Sequence, residues 1–85
     1  MELKQTIRDF IIRNFYVAEP SALEDGASLL DQGIIDSTGV LEVILFLETG
    51  FGLAVEDAEM VPENLDSIDA IAAFVARKQA QPIAA

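Results

Sequence analysis

The chain has 85 residues, and its 5 Lys and Arg against 15 Asp and Glu give a formal net charge of 5 − 15 = −10 on a sequence that is 52% hydrophobic. That length fits one domain, which buries about 60% of the surface its unfolded chain exposes, and the apolar content argues against disorder. With no Cys and no His, the usual zinc sites, thiol catalysis and Ser-His triads are excluded, and the acid excess makes nucleic acid and anionic membranes poor partners.

Residues 2–16 read as a first helix, because Leu3, Ile7, Phe10 and Ile11 recur at helical spacing. Asp9 stands four residues before Arg13, the favourable order for an exposed helical ion pair. Pro20 ends this pattern and opens a long connection to Gly33, in which Leu23, Leu29, Leu30, Ile34 and Ile35 are the candidate anchors. Asp36-Ser37 starts a second helix, since both residue types cap helix N-termini by accepting a bond from a free backbone N–H. This helix runs through Val40, Val43, Ile44 and Leu47 and stops near Gly50 or Gly52. A short third helix is expected over residues 56–60, ending at or before Pro62. Asp66 or Ser67 then caps a last helix carrying Ile68, Ile71, Phe74 and Val75, with Arg77 and Lys78 in its final turn. The expectation is an all-α fold, a small four-helix bundle of three long helices and one short one with a long first loop. Residues 1–78 form its single domain and residues 79–85 a flexible tail. The apolar run Ala70 to Ala76 is too short to span a bilayer, and Met1-Glu2 opens no signal peptide.

Two features go beyond the core. The five bases, Lys4, Arg8, Arg13, Arg77 and Lys78, all lie near the ends, so residues 14–76 hold thirteen acids and no base. Such a field is either a merely solvated surface or a device for steering a basic partner. On the second helix, Val40, Val43, Ile44 and Leu47 form one stripe, yet Leu41 and Leu45 fall outside it on the flank that holds Ser37 and Glu48. Phe46 lies on a third side, where burial accounts for it, whereas Leu45 beside a candidate site is better read as a contact. Ser37 has no His to activate it and no Lys nearby in sequence, so it is not a triad nucleophile. From local signals alone it is a cap residue, or a serine modified by another enzyme at a helix N-terminus that suits phosphate.

The segment Ser28-Leu29-Leu30-Asp31-Gln32-Gly33-Ile34-Ile35-Asp36-Ser37 strongly resembles the region around the attachment serine of acyl and peptidyl carrier proteins. There a Gly, two intervening residues and Asp-Ser open the second of four helices, as Gly33, Asp36 and Ser37 do here. The likeness runs from about Leu3 to Val75 and includes Glu42 and Glu48, Phe51-Gly52, and Asn64 to Phe74. It implies a freestanding carrier that holds an acyl, hydroxyacyl or aminoacyl group as a thioester. The arm is 4′-phosphopantetheine, brought from coenzyme A to Ser37 by a separate Mg²⁺-dependent phosphopantetheinyl transferase. Asp36 flanks the arm, and Thr38, Leu41, Glu42, Leu45 and Glu48 are the expected partner-recognition residues, facing basic docking surfaces on loading and acyl-transfer enzymes. No catalytic residue and no metal site are expected: Glu24-Asp25-Gly26 and Asp31 lack the ligand spacing of an EF-hand loop. The resemblance implies a cytoplasmic monomer, and a missing cysteine is what a protein with an imported thiol tolerates.

Thr38 and Gly39 depart from the family pattern, which commonly has Leu or Met after the serine. Gly at an early helical position costs up to ~1 kcal/mol relative to Ala, in exchange for close approach by the arm or a partner, or simply with a looser first turn. Sparse acids on the second helix argue against a housekeeping fatty-acid role. The competing reading is an unmodified acidic adaptor that binds a basic protein through its second helix. Charge reversal at Glu42 and Glu48 would destroy that function while Ser37→Ala left it intact.

Overall fold

A computed structural model describes residues 3–80. Four helices appear in order: α1 (Leu3–Asn14), α2 (Ser37–Phe51), the short α3 (Pro62–Leu65) and α4 (Ile68–Ala80), with 3-10 turns at Pro20–Ala22 and Asp57–Glu59. No strand occurs among the described residues, so the all-α arrangement of three long helices and one short one holds.

The core forms where the helical periodicities meet. Ile7 and Ile11 of α1, Val43, Ile44 and Leu47 of α2, and Ile68, Ile71, Phe74 and Val75 of α4 are buried, joined by Leu65 and Val55. Full burial of side chains this size contributes about 1.5–3 kcal/mol each. Every buried side chain among the described residues is apolar, so no unpaired charge has to be compensated inside.

α1 ends at Asn14, two residues before the expected limit. The Asn14 side-chain amide donates to the Phe10 carbonyl at 2.9 Å, and the chain then leaves the helix. Phe15 and Val17 pack on the core while Tyr16 stands 84% exposed. The expected Asp9–Arg13 pair is not made; Asp9 instead accepts from Gln5 Nε2 at 2.8 Å, a neighbour one turn back.

The long first loop is anchored by Leu23, Leu29 and Ile35, all buried, with Ile34 packed against them. Leu30 is a correction: it is exposed. Residues 28–33 coil into one tight turn, with the Gln32 amide donating to the Ser28 carbonyl and the Gly33 amide to that of Leu30. In such a coil two adjacent side chains cannot face the same side.

α2 begins as expected, with Asp36 as its cap, and stops at Gly52, which takes the left-handed conformation (φ 70°) that closes a helix cheaply only for glycine. The expected third helix over 56–60 is replaced by the 3-10 turn Asp57–Glu59, and α3 starts at Pro62 rather than ending before it. Proline's missing N–H costs nothing at a first helical position, and its fixed φ suits it there. Of the two candidate caps for α4, Ser67 serves, its Oγ accepting from the Ala70 amide at 2.9 Å. α4 continues through Gln79 and Ala80, past the expected start of the tail, whose residues 81–85 lie outside those described.

Candidate functional site

Ser37 is the first residue of α2, and its position follows from three local facts. Gly33 adopts φ 71°, a conformation that side chains disfavour, and so turns the chain after the 28–33 coil. Ile34 and Ile35 then donate their amides to the Leu29 carbonyl at 3.0 and 3.3 Å. Asp36, extended at φ −114° and ψ −172°, accepts from the Gly39 amide at 2.7 Å and fixes the first turn.

The result is an exposed hydroxyl. Ser37, Thr38 and Asp36 are all exposed, and neither the hydroxyl nor the amides of Ser37 and Thr38 find a partner among the described residues. Two free N–H groups at the positive end of a 15-residue helix favour negative charge beside Ser37. These residues therefore fit a phosphate ester on Ser37 Oγ. Among the described residues no side chain that accepts a proton near neutrality stands by: there is no His, and the two Lys residues pair elsewhere, Lys4 with Asp69 and Lys78 with Glu59.

Along α2 the expected recognition residues fall into two sets. Thr38, Leu41, Glu42 and Leu45 share the exposed face with Ser37, with Leu41 61% and Leu45 60% exposed. Ser37, Leu41 and Leu45 stand one above the next, as residues four apart do on a helix. Glu42 makes no hydrogen bond or ion pair among the described residues, which leaves its charge free for a partner. Glu48 differs: it is half-buried and accepts from the Val55 amide at 3.0 Å, so one oxygen is spent on holding the chain after α2. Phe46 packs as expected, stacked on Phe10 with ring centroids 4.0 Å apart. A shallow groove of about 290 Å³ opens beside this pair, bounded by Leu45 and Thr49.

Gly39 meets neither expectation. It is buried, and a Cβ there would lie 2.9 Å from the Phe15 ring and 3.2 Å from Ile35. The space is filled by the first loop, away from Ser37, so Gly39 lets the two ends of that loop close on α2.

The acidic field is also less uniform than the sequence implies. Arg8 pairs with Asp25, Lys4 with Asp69 and Lys78 with Glu59, so bases from the chain's ends fold back on acids of the base-free stretch. Glu59 is held below the usual carboxylate range, first by the Glu56 amide and then by Lys78. Among the described residues no group of three or more acids is arranged to hold a metal ion, and no helix is long and apolar enough to cross a membrane.

Sequence reasoning did not place Asp66 against the first loop. Its carboxylate accepts from Ser28 Oγ and from the Leu30 amide at 2.8 Å, and its carbonyl accepts from the Leu29 amide at 2.7 Å. The one sequence signal, an Asp at a helix boundary, fits a cap equally well.

No family model matches the chain. It is 32% identical over 71 residues to the D-alanyl carrier protein of Streptococcus suis, covering 84% of this chain and 87% of that protein. It is 29% identical over 75 residues to the acyl carrier protein of Campylobacter hominis, covering 88% and 91% respectively. Among solved structures it superposes on the peptidyl carrier protein KstB-PCP in its apo form with a TM-score of 0.73 and 39% identity, over 94% of this chain and 89% of that one.

Proposed function

The chain belongs to the carrier protein family that includes acyl, D-alanyl and peptidyl carriers, and from that premise we propose that Ser37 is where it bears 4′-phosphopantetheine. Bound there, the arm supplies the thiol on which an acyl or aminoacyl group is held as a thioester, a group this cysteine-free sequence does not itself contain. The carrying observation is the exposed Ser37 hydroxyl on a helix start fixed by Asp36. Ser37 Oγ would provide the ester oxygen, and the free amides of Ser37 and Thr38 at the helix start would favour the phosphate's negative charge.

The rest of the reaction belongs to partners. No base stands beside Ser37 among the described residues to take its proton, which supports attachment by a phosphopantetheinyl transferase, with other enzymes loading and unloading the cargo. Leu41 and Leu45 offer an apolar contact, flanked by Thr38 and by the free carboxylate of Glu42. Basic docking surfaces on the partners are steered by that charge, which favours rapid encounter over tight binding. Glu48 takes part with the oxygen that Val55 leaves free. Residues 1–78 suffice for this role, as a monomer in the cytoplasm, where coenzyme A and such enzymes are at hand.

The test is intact mass. After incubation with coenzyme A and a broad-specificity phosphopantetheinyl transferase, the parent chain gains the mass of one arm, and Ser37→Ala gains none. An unchanged parent mass with several such transferases, or a gain that survives Ser37→Ala, overturns the assignment.

A further inference from the structure

Asp66 lies 38 residues from Ser28 in sequence and makes no hydrogen bond to Ser37 or to the exposed side chains of α2, yet a continuous set of hydrogen bonds joins it to the start of that helix. Its two carboxylate oxygens take Ser28 Oγ and the Leu30 amide, and its carbonyl takes the Leu29 amide. Ser28 Oγ in turn accepts from the Asp31 amide at 3.1 Å, so one carboxylate organises the whole coil of residues 28–31. The Leu29 carbonyl then receives the amides of both Ile34 and Ile35, the two residues directly before Asp36 and Ser37. Leu29 is completely buried, which makes its main chain a fixed point once Asp66 holds it.

We propose that Asp66 is a positioning residue for the modification of Ser37: it pins the end of the first loop to the α3–α4 junction and so presents the serine in the form a transferase accepts. The proposal rests on Ser37 being the attachment site. Elsewhere the loop is tied through Asp25, whose carbonyl accepts from the Asp69 amide and whose carboxylate pairs with Arg8. That tie lies upstream of the coil and leaves its orientation to Asp66. Without the carboxylate arms of the pin, the bond from the Leu29 amide to the Asp66 carbonyl remains, but residues 28–31 lose their organisation. The segment before Ser37 then samples open forms, and the apparent affinity of the transferase falls by the fraction that stays competent. Chemistry on the serine, once bound, is untouched.

This makes a specific kinetic signature. Asp66→Ala is expected to raise the transferase KM for the carrier about tenfold, the value for a loop competent one-tenth of the time, with kcat kept. Asp66→Asn keeps an acceptor for the Leu30 amide and presents its NH₂ to Ser28 Oγ, so it restores most of the loss. Ser28→Ala, which removes one arm of the pin with less risk to folding, gives an intermediate KM. In the unmodified protein, amide hydrogen exchange at Ile34, Ile35 and Gly39 speeds up in Asp66→Ala while amides of Ile11 in α1 and Val75 in α4 keep their protection. An unchanged KM, a fall in kcat alone, or exchange accelerating equally throughout the molecule overturns the proposal. Should the parent chain not be modified at all, the attachment reading fails instead, and the exchange comparison still decides whether Asp66 holds the loop.

Discussion

The connections on either side of α2 are held by different chemistry. The first, residues 15–36, buries Leu23, Leu29 and Ile35 and is tied down by main-chain bonds from the Asp69 amide to the Asp25 carbonyl and from the Leu29 amide to the Asp66 carbonyl. The second, residues 52–61, buries only Val55 and leans on carboxylates: Glu48 holds the Val55 amide, and Glu59 binds both the Glu56 amide and Lys78. Core burial is insensitive to salt and mild acid, whereas ion pairs near the surface are screened and titrate. The connection that delivers Ser37, in which the Asp25 and Asp66 carboxylates add to three buried side chains, is thus the less sensitive one, and the connection after α2 is the one that conditions adjust more.

The largest effect expected from breaking this contrast is at Leu29. Leu29→Ala removes a fully buried side chain and costs about 2–5 kcal/mol in urea unfolding, with early loss of protection at Ile34 and Ile35. A cost well under that range would mean the first loop is held by hydrogen bonds alone. Gly39→Ala comes next. Its methyl group meets Phe15 and Ile35, the two ends of the same loop, and this strain outweighs the gain in helix propensity by about 1 kcal/mol. A stabilised Gly39→Ala protein would show that the loop ends yield easily.

The smallest effect sharpens the other side. Glu59 has a lowered pKa in the fold, so its pairing stabilises the protein fully above the unfolded carboxylate pKa and fades as pH falls through the folded one. Glu59→Gln is therefore slightly less stable than the parent near neutrality, and the two thermal unfolding curves converge in acid. The difference also shrinks with added salt. A gap that persisted at low pH would move the second connection into the same class as the first.

How far these features can be read from sequence depends on how local their causes are. The helix start at Asp36-Ser37, the stop near Gly50 or Gly52 and the inward stripe of α2 rest on propensity and spacing, so sequence reasoning reached them, and the fold chose Asp36 as the cap and Gly52 as the stop. The exposed Leu41 and Leu45 were legible for the same reason, being off a stripe that already accounts for the core. Asp66 was not, because Asp66 and Ser67 both satisfy the requirements of a cap. Only the first loop, folded back across 38 residues, assigns the cap to one and the pin to the other. Leu29 and Leu30 are likewise indistinguishable by type, and the coil decides which of them is buried. The third helix moved because Pro62 reads as a stop from upstream and as a start from downstream.

The sequence by itself determined the all-helical class, the position of α2 and the serine at its head, since each follows from interactions within a few residues. It also determined that the protein has no thiol or imidazole of its own, a matter of composition. The net charge of −10 was fixed there too, but its distribution was not. Tertiary structure folded Lys4, Arg8 and Lys78 back onto Asp69, Asp25 and Glu59, spent one oxygen of Glu48 on Val55 and left Glu42 free. Charges pair across space rather than along the chain, so only the folded arrangement decides which acids remain to meet a partner.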